Sequence, residues 1–154
     1  MKGDETVTEI ISGSPEQTEA AGRALALAVR SADGRRYVAL YGELGAGKTA
    51  FVRGFVSVLS PGSRVKSPTY TIVNEYRKGG LPVFHFDFYR TGGEDDFLAL
   101  GFYEYLDTGV CISEWSENIP EEIFATIPDP VRVYIEKTSE NGRRISVDGI
   151  EIDL

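Results

Sequence analysis

One cysteine and one histidine are all that this chain of 154 residues offers to soft-metal or disulfide chemistry. Cys111 by itself can form neither an internal disulfide nor a multi-cysteine metal site. It lies in Val110-Cys111-Ile112 and reads as a small buried apolar residue. His85 alone excludes a His-pair metal site. Long apolar runs are missing too. The longest, Ala24 to Val29, is far short of the roughly 20 residues that cross a bilayer. The N-terminus carries Asp4, Glu5 and Glu9 and has no signal-like apolar core. The expectation is a cytoplasmic protein with no membrane partner. Basic residues are outnumbered 16 to 24, for a net charge of −8. Sequence-independent nucleic-acid binding needs a basic surface, so a role on RNA would run through a partner. Repeats, linkers and low-complexity segments are also lacking. The expectation is one domain over residues 1–154, large enough for a real core.

What is present is a glycine-rich loop. Gly42-Glu43-Leu44-Gly45-Ala46-Gly47-Lys48-Thr49 fits the pattern G-x-x-x-x-G-K-[ST] in full. A triphosphate needs several backbone N–H donors converging on its oxygens, and glycines let the backbone come close and take positive φ. The Lys48 ammonium suits the β and γ phosphates, and the Thr49 hydroxyl suits a Mg²⁺ shell. Before the loop, Tyr37 to Tyr41 is a β-prone apolar run. After it, Ala50 to Leu59 has Phe51, Phe55, Val58 and Leu59 at helical spacing. Strand, loop and helix is the setting this motif requires. A helix N-terminus aimed at the phosphates adds its dipole.

The rest of the chain alternates strands and helices. Thr6 to Ile11 is β-branched and reads as a strand. Ser14-Pro15-Glu16-Gln17 opens a helix with a cap, a proline at the first position and a capping box. That helix runs to about Ser31 with Ala21, Leu25, Ala28 and Val29 on its apolar face, and Asp33-Gly34 turns the chain. Gly54, inside the helix after the loop, implies close packing against the sheet. Ser67-Pro68-Thr69-Tyr70 leads into a β-prone stretch, Thr69 to Val73, and is either a plain loop into a strand or a switch that senses the γ-phosphate. Val83 to Phe88 alternates and puts His85 and Asp87 on one face. That face is either solvated or, with Asp87 at a strand end, part of a Mg²⁺ site. His85 reads as a structural hydrogen-bonding residue.

Glu94 to Leu100 is a short helix closed by Gly101, and Tyr103 to Leu106 continues with aromatic surface, which is either core, the commoner case for such aromatics, or in part interface. Val110 to Glu114 is a second apolar strand ending in an acid, able to bind Mg²⁺ through water or to position an attacking water. Trp115 either stacks on a base or fills the core. Pro120 to Phe124 is one helical turn. Val131 to Glu136 and Arg144 to Val147 pair antiparallel across Asn141-Gly142.

Four motifs occur together and in order: the loop, Ser67-Pro68-Thr69-Tyr70, His85-Phe86-Asp87-Phe88-Tyr89-Arg90, and Glu114-Trp115. With them the chain resembles the TsaE (YjeE) family of bacterial P-loop ATPases, strongly from about Ser14 to Trp115 and only in strand content beyond. The resemblance implies an α/β, P-loop NTPase-like three-layer domain with a central mixed β-sheet. It implies ATP and Mg²⁺ as cofactors. It implies a role in forming threonylcarbamoyl-adenosine at position 37 of tRNAs reading ANN codons. In that family the ATPase works with TsaD, which transfers the group, and with TsaB, and meets tRNA indirectly through that complex.

Residue by residue, the resemblance gives Gly42, Glu43, Leu44, Gly45, Ala46, Gly47, Lys48, Thr49 and Ala50 to the phosphates and sets Trp115 beside the nucleotide. Thr49, Asp87 and Glu114 belong to the metal and water site, with Lys48, Asp87 and Glu114 catalytic. Ser67, Thr69, Tyr89 and Arg90 match positions near the γ-phosphate or a partner surface. Glu43 stands where the family commonly has aspartate, a mild change at a position that contributes mainly backbone. Arg90 or a partner residue would act as arginine finger. A small-molecule kinase would need an arginine-bearing lid, for which Arg77 and Arg90 are too few. A nucleotide-dependent interaction module without turnover is the third class. A GTPase would need an N-K-x-D segment, which is absent.

Overall fold

A computed structural model describes residues 6–32, 36–43, 45–68 and 72–153. The expected turn at Asp33-Gly34, and the site candidates Leu44 and Thr69, lie outside these residues. The elements run β1 (Val7–Ser12), α1 (Pro15–Ser31), β2 (Tyr37–Tyr41), α2 (Lys48–Leu59), β3 (Val73–Tyr76) and β4 (Val83–Asp87). There follow α3 (Glu94–Leu100), α4 (Phe102–Thr108), β5 (Val110–Glu114), α5 (Glu121–Phe124), β6 (Val131–Lys137) and β7 (Arg143–Asp148).

The strands form one sheet in the order β1-β7-β6-β2-β5-β4-β3. Its centre is parallel: β6 with β2, β2 with β5, β5 with β4. Both edges are antiparallel, β1 and β7 on one side and β3 on the other. Alternation along the strands makes two cores, one per face. Val38, Leu40 and Ile112 join α1 and α2 through Leu25, Phe51 and Phe55. Ala39, Phe84 and Phe86 join α3, α4 and α5 through Phe97, Phe102 and Ile123. The result is a three-layer α/β domain with a mixed sheet, as expected.

Local chemistry sets the ends of the elements. Ser14 Oγ accepts from Gln17 N at 3.1 Å, with Pro15 at the first helical position. The Gln17 side chain reaches back to Gly13 N at 2.6 Å, one residue before the cap itself. Gly101, at φ 79°, both closes α3 and opens α4. Tyr103 to Leu106 lies within α4. Phe102 is buried there and Tyr105 and Leu106 pack on the same core, while Tyr103 is exposed, so these aromatics are mostly core and partly surface.

Of the strand expected at Thr69 to Val73, Thr69, Tyr70 and Thr71 lie outside the described residues; Ile72 is left-handed at φ 59°, so it does not extend β3, which begins at Val73. One further expectation is corrected. Gly54 packs against a helix instead of the sheet. A Cβ there would stand 2.0 Å from Glu19 O of α1, and one at Gly22 would stand 2.1 Å from Phe51 O of α2. The two helices touch backbone to backbone at these glycines, and that contact fixes where α2, and the loop ahead of it, sit over the sheet.

Candidate functional site

The site forms at the C-terminal ends of β2, β4 and β5, under the first turn of α2. Gly47 caps α2 in the left-handed region at φ 101°, open to glycine and strained for most other residues. Ala46 N donates to Glu43 O at 3.0 Å, so Glu43 takes part through its backbone while its side chain is exposed. Lys48 is already helical and buried, with Thr49 exposed and Ala50 buried on the next positions. The Lys48 ammonium donates to Gly42 O at 2.6 Å and lies 3.8 Å from the centre of the Trp115 ring. Burial pulls its pKa down from the ordinary lysine value, against the opposing charges of Glu114, Glu117 and Asp87.

Trp115 follows β5 in a left-handed conformation, φ 57°, that non-glycine residues rarely adopt. This turn brings its ring back over Lys48, with Tyr89 tilted against it at 4.9 Å between centres. The core-filling reading of Trp115 is therefore only half right. The ring is partly buried against the second core and also covers the loop lysine.

The parallel register of β4 with β5 makes Asp87 and Glu114 direct neighbours. Strand alternation puts His85, Asp87 and Glu114 on the face that carries α1 and α2. The solvated alternative for this face does not hold at His85, which is the structural hydrogen-bonding residue expected: its ring is fully buried. Its Nε2 lies 2.6 Å from Glu114 Oε2, while Nδ1 has no hydrogen-bond partner among the described residues. A carboxylate accepts, so the ring donates through Nε2. Asp87 is half-buried and accepts from Tyr89 N at 3.0 Å through Oδ1. Burial raises its pKa above the usual carboxylate value. The Tyr89 N–H bond opposes this, the Glu114 charge adds to it, and His85 and Lys48 oppose it.

Among the described residues no three His, Cys, Asp or Glu side chains form a metal cage. Two adjacent carboxylates and a hydroxyl suit Mg²⁺, which prefers one or two carboxylates completed by phosphate oxygens and water. Thr49, Asp87 and Glu114 thus fit such an ion without caging it alone.

The remaining candidates are placed less centrally. Ser67 is exposed on the segment before β3, and Arg90 is exposed and makes no ion pair among the described residues. Tyr89 is largely exposed and enters the site through its contact with Trp115 and its backbone bond to Asp87. One participant was not singled out by sequence: Arg143, at the start of β7, bonds to the loop carbonyls of Ala46 and Gly45. The Ser14 cap, with Pro15 and Thr18 of α1, joins Gly47, Ala50, Asn141 and Arg143 around a pocket of about 110 Å³ beside the loop. A larger cleft of about 490 Å³, lined by Val29, Val58 and Val110, lies at the other end of the sheet, away from the loop.

The family model described as "Threonylcarbamoyl adenosine biosynthesis protein TsaE" matches residues 12–145. This chain belongs to the TsaE family. Among curated TsaE proteins, that of Bacillus subtilis is 36% identical over 138 residues, spanning 89% of this chain and 82% of its own. The TsaE protein of Aquifex aeolicus is 32% identical over 146 residues, spanning 93% and 97%. Both carry the name tRNA threonylcarbamoyladenosine biosynthesis protein TsaE. The crystal structure of Bacillus subtilis YdiB superposes with a TM-score of 0.69 at 28% identity, over 97% of this chain and 90% of that one. The TsaE match reaches Ile145, so β6 and the start of β7 belong to the shared unit, beyond the Trp115 limit of the strong sequence resemblance.

Proposed function

We propose that this TsaE protein is a Mg²⁺-dependent ATPase whose nucleotide cycle serves threonylcarbamoylation of adenosine 37 in tRNAs reading ANN codons. It does not perform the transfer itself and acts with the TsaB–TsaD complex. The observation that carries the reading is the joining of two carboxylates, Asp87 and Glu114, in register beside a loop lysine at one end of the sheet.

In this mechanism the loop amides receive the phosphates at the N-terminus of α2. Lys48 leaves the Gly42 carbonyl and the Trp115 ring to meet the β and γ oxygens. Thr49, Asp87 and Glu114 would hold Mg²⁺, which when bound neutralises phosphate charge and orients the γ-phosphoryl group. Glu114 keeps one oxygen on His85, so its other oxygen is left to orient a water or take its proton. The small pocket beside Gly47 suits the base side of the nucleotide. Arg90 is too exposed to be a preset arginine finger, which favours a charge supplied by a partner and slow hydrolysis alone. The net charge of −8 suits a protein that meets tRNA only through partners in the cytoplasm, and no helix among the described residues is long and apolar enough to cross a membrane.

The test is ATP hydrolysis by the purified protein, alone and with TsaB and TsaD of the same source. Strong stimulation that is lost in Glu114→Ala and Lys48→Ala is the expected outcome. Equal turnover with and without active partners would remove the partnership, and wild-type turnover in Lys48→Ala would remove the loop from catalysis.

A further inference from the structure

Arg143 opens β7, just past the turn that joins it to β6. Its guanidinium donates to five carbonyl oxygens and to no carboxylate. Nε reaches Ala46 O at 2.8 Å and Nη2 reaches Gly45 O at 3.3 Å, both in the phosphate-binding loop. On the other edge, Nη1 reaches Gly142 O at 2.8 Å, and Ser139 O and Glu140 O at 3.3 Å each. Its neighbour Arg144 instead pairs with Glu136 at 3.0 Å. Among the described residues Arg143 has no ion-pair partner.

We infer that Arg143 is a positioning residue for the phosphate-binding loop, clamping its peptide planes to the β6–β7 turn and holding a cation behind them. The inference rests on the reading of this loop as a phosphate site. A trans peptide carries its C=O and N–H on opposite sides. Holding Gly45 O and Ala46 O against the guanidinium therefore turns Ala46 N–H and Gly47 N–H away from it. Ala46 N–H closes on Glu43 O at 3.0 Å inside the loop. Gly47 N–H is left on the side where an anion would lie. Arginine suits this task better than lysine, because its rigid planar fork holds the two loop carbonyls on one edge and the turn carbonyls on the other, whereas an ammonium is a single point on a flexible stem. Carbonyl dipoles hold the charge without cancelling it, so an incoming phosphate meets a positive field from behind the loop. Glycines make the loop able to bind, and the same glycines leave it free to take other shapes. The clamp restricts that freedom before ligand arrives.

The test compares wild type, Arg143→Gln and Arg143→Lys by Mg·ADP affinity, by ATP turnover, and by hydrogen exchange of the loop amides in the ligand-free protein. Exchange is scaled to amides of β4, across the sheet. In Arg143→Gln, ADP should bind about tenfold more weakly or worse, as expected for a lost charge-assisted contact. Loop amides should exchange faster while β4 amides do not. Arg143→Lys keeps the charge and loses the fork, so its affinity should fall between the two, with loop exchange still accelerated. If Arg143→Gln does not fold, Arg143→Lys decides by the same two readings. Affinity within twofold of wild type, or loop exchange unchanged relative to β4, would overturn the inference and leave Arg143 as a staple of the turn alone. A wild-type protein that binds no nucleotide would instead overturn the phosphate reading, and the exchange result would still decide whether the clamp exists.

Discussion

His85 Nε2 and Glu114 Oε2 stand 2.6 Å apart, the ring fully buried and the carboxylate nearly so, and the pair joins β4 to β5. One Glu114 oxygen is therefore committed to the ring before any ligand arrives. His85→Leu would leave the Glu114 carboxylate buried without its donor. A lost partner of this kind costs about 1–3 kcal/mol, measurable by urea denaturation. His85→Gln restores an N–H donor at similar reach and should recover most of that stability. Hydrolysis should follow the same order, wild type then Gln then Leu. Equal turnover in Gln and Leu variants would detach the pair from catalysis.

The contact of α1 with α2 admits no side chain at its centre. Gly22→Ala and Gly54→Ala each place a methyl about 2 Å from a backbone carbonyl of the other helix. Overpacking of this type costs roughly 1–3 kcal/mol, more where backbone must move. Because α2 carries the loop at its N-terminus, Gly54→Ala should also weaken Mg·ADP binding, read by calorimetry. Unchanged stability in both variants would mean that the helices can separate freely.

Trp115 is the sole tryptophan, so its fluorescence reports on Lys48. A nucleotide that draws the ammonium toward phosphate removes a cation from the ring face, which lies 3.8 Å away. Mg·ADP should change the emission of wild type, and the change should be much smaller in Lys48→Met. An equal change in that variant would show that the ring senses the nucleotide directly.

Asp87 makes the apo protein less stable than it could be. Burial raises its pKa above the unfolded value, so the folded state holds the proton more tightly. The unfolded chain then binds fewer protons between the two values, and stability falls as pH rises through that window. The contribution of the neutral carboxyl is fully present below the unfolded value, near 4, and lost above the folded one. Asp87→Asn never ionises. It should exceed wild type in stability at neutral pH, converge with it in acid, and lose Mg²⁺-dependent hydrolysis. Thermal melts across pH check this, and a lower melting temperature for the variant at neutral pH would contradict it.

The sequence by itself determined the loop, its flanking strand and helix, the Ser14 cap and the two strands that end in acids. These features are local. Glycine at φ 101°, a hydroxyl that caps three residues on, and the two-residue alternation of a strand act within a few residues of each other.

Tertiary structure decided the rest. His85 meets Glu114 only because β4 lies parallel beside β5, and Asp87 faces Glu114 only in that register. Gly54 faces Glu19 through a helix crossing, and Arg143 reaches Ala46 from the far end of the chain because β6 lies next to β2. Spacing along a chain fixes which face a side chain takes, whereas strand order and crossing fix which face it meets. Those depend on how two cores close on one sheet, a balance summed over the whole molecule.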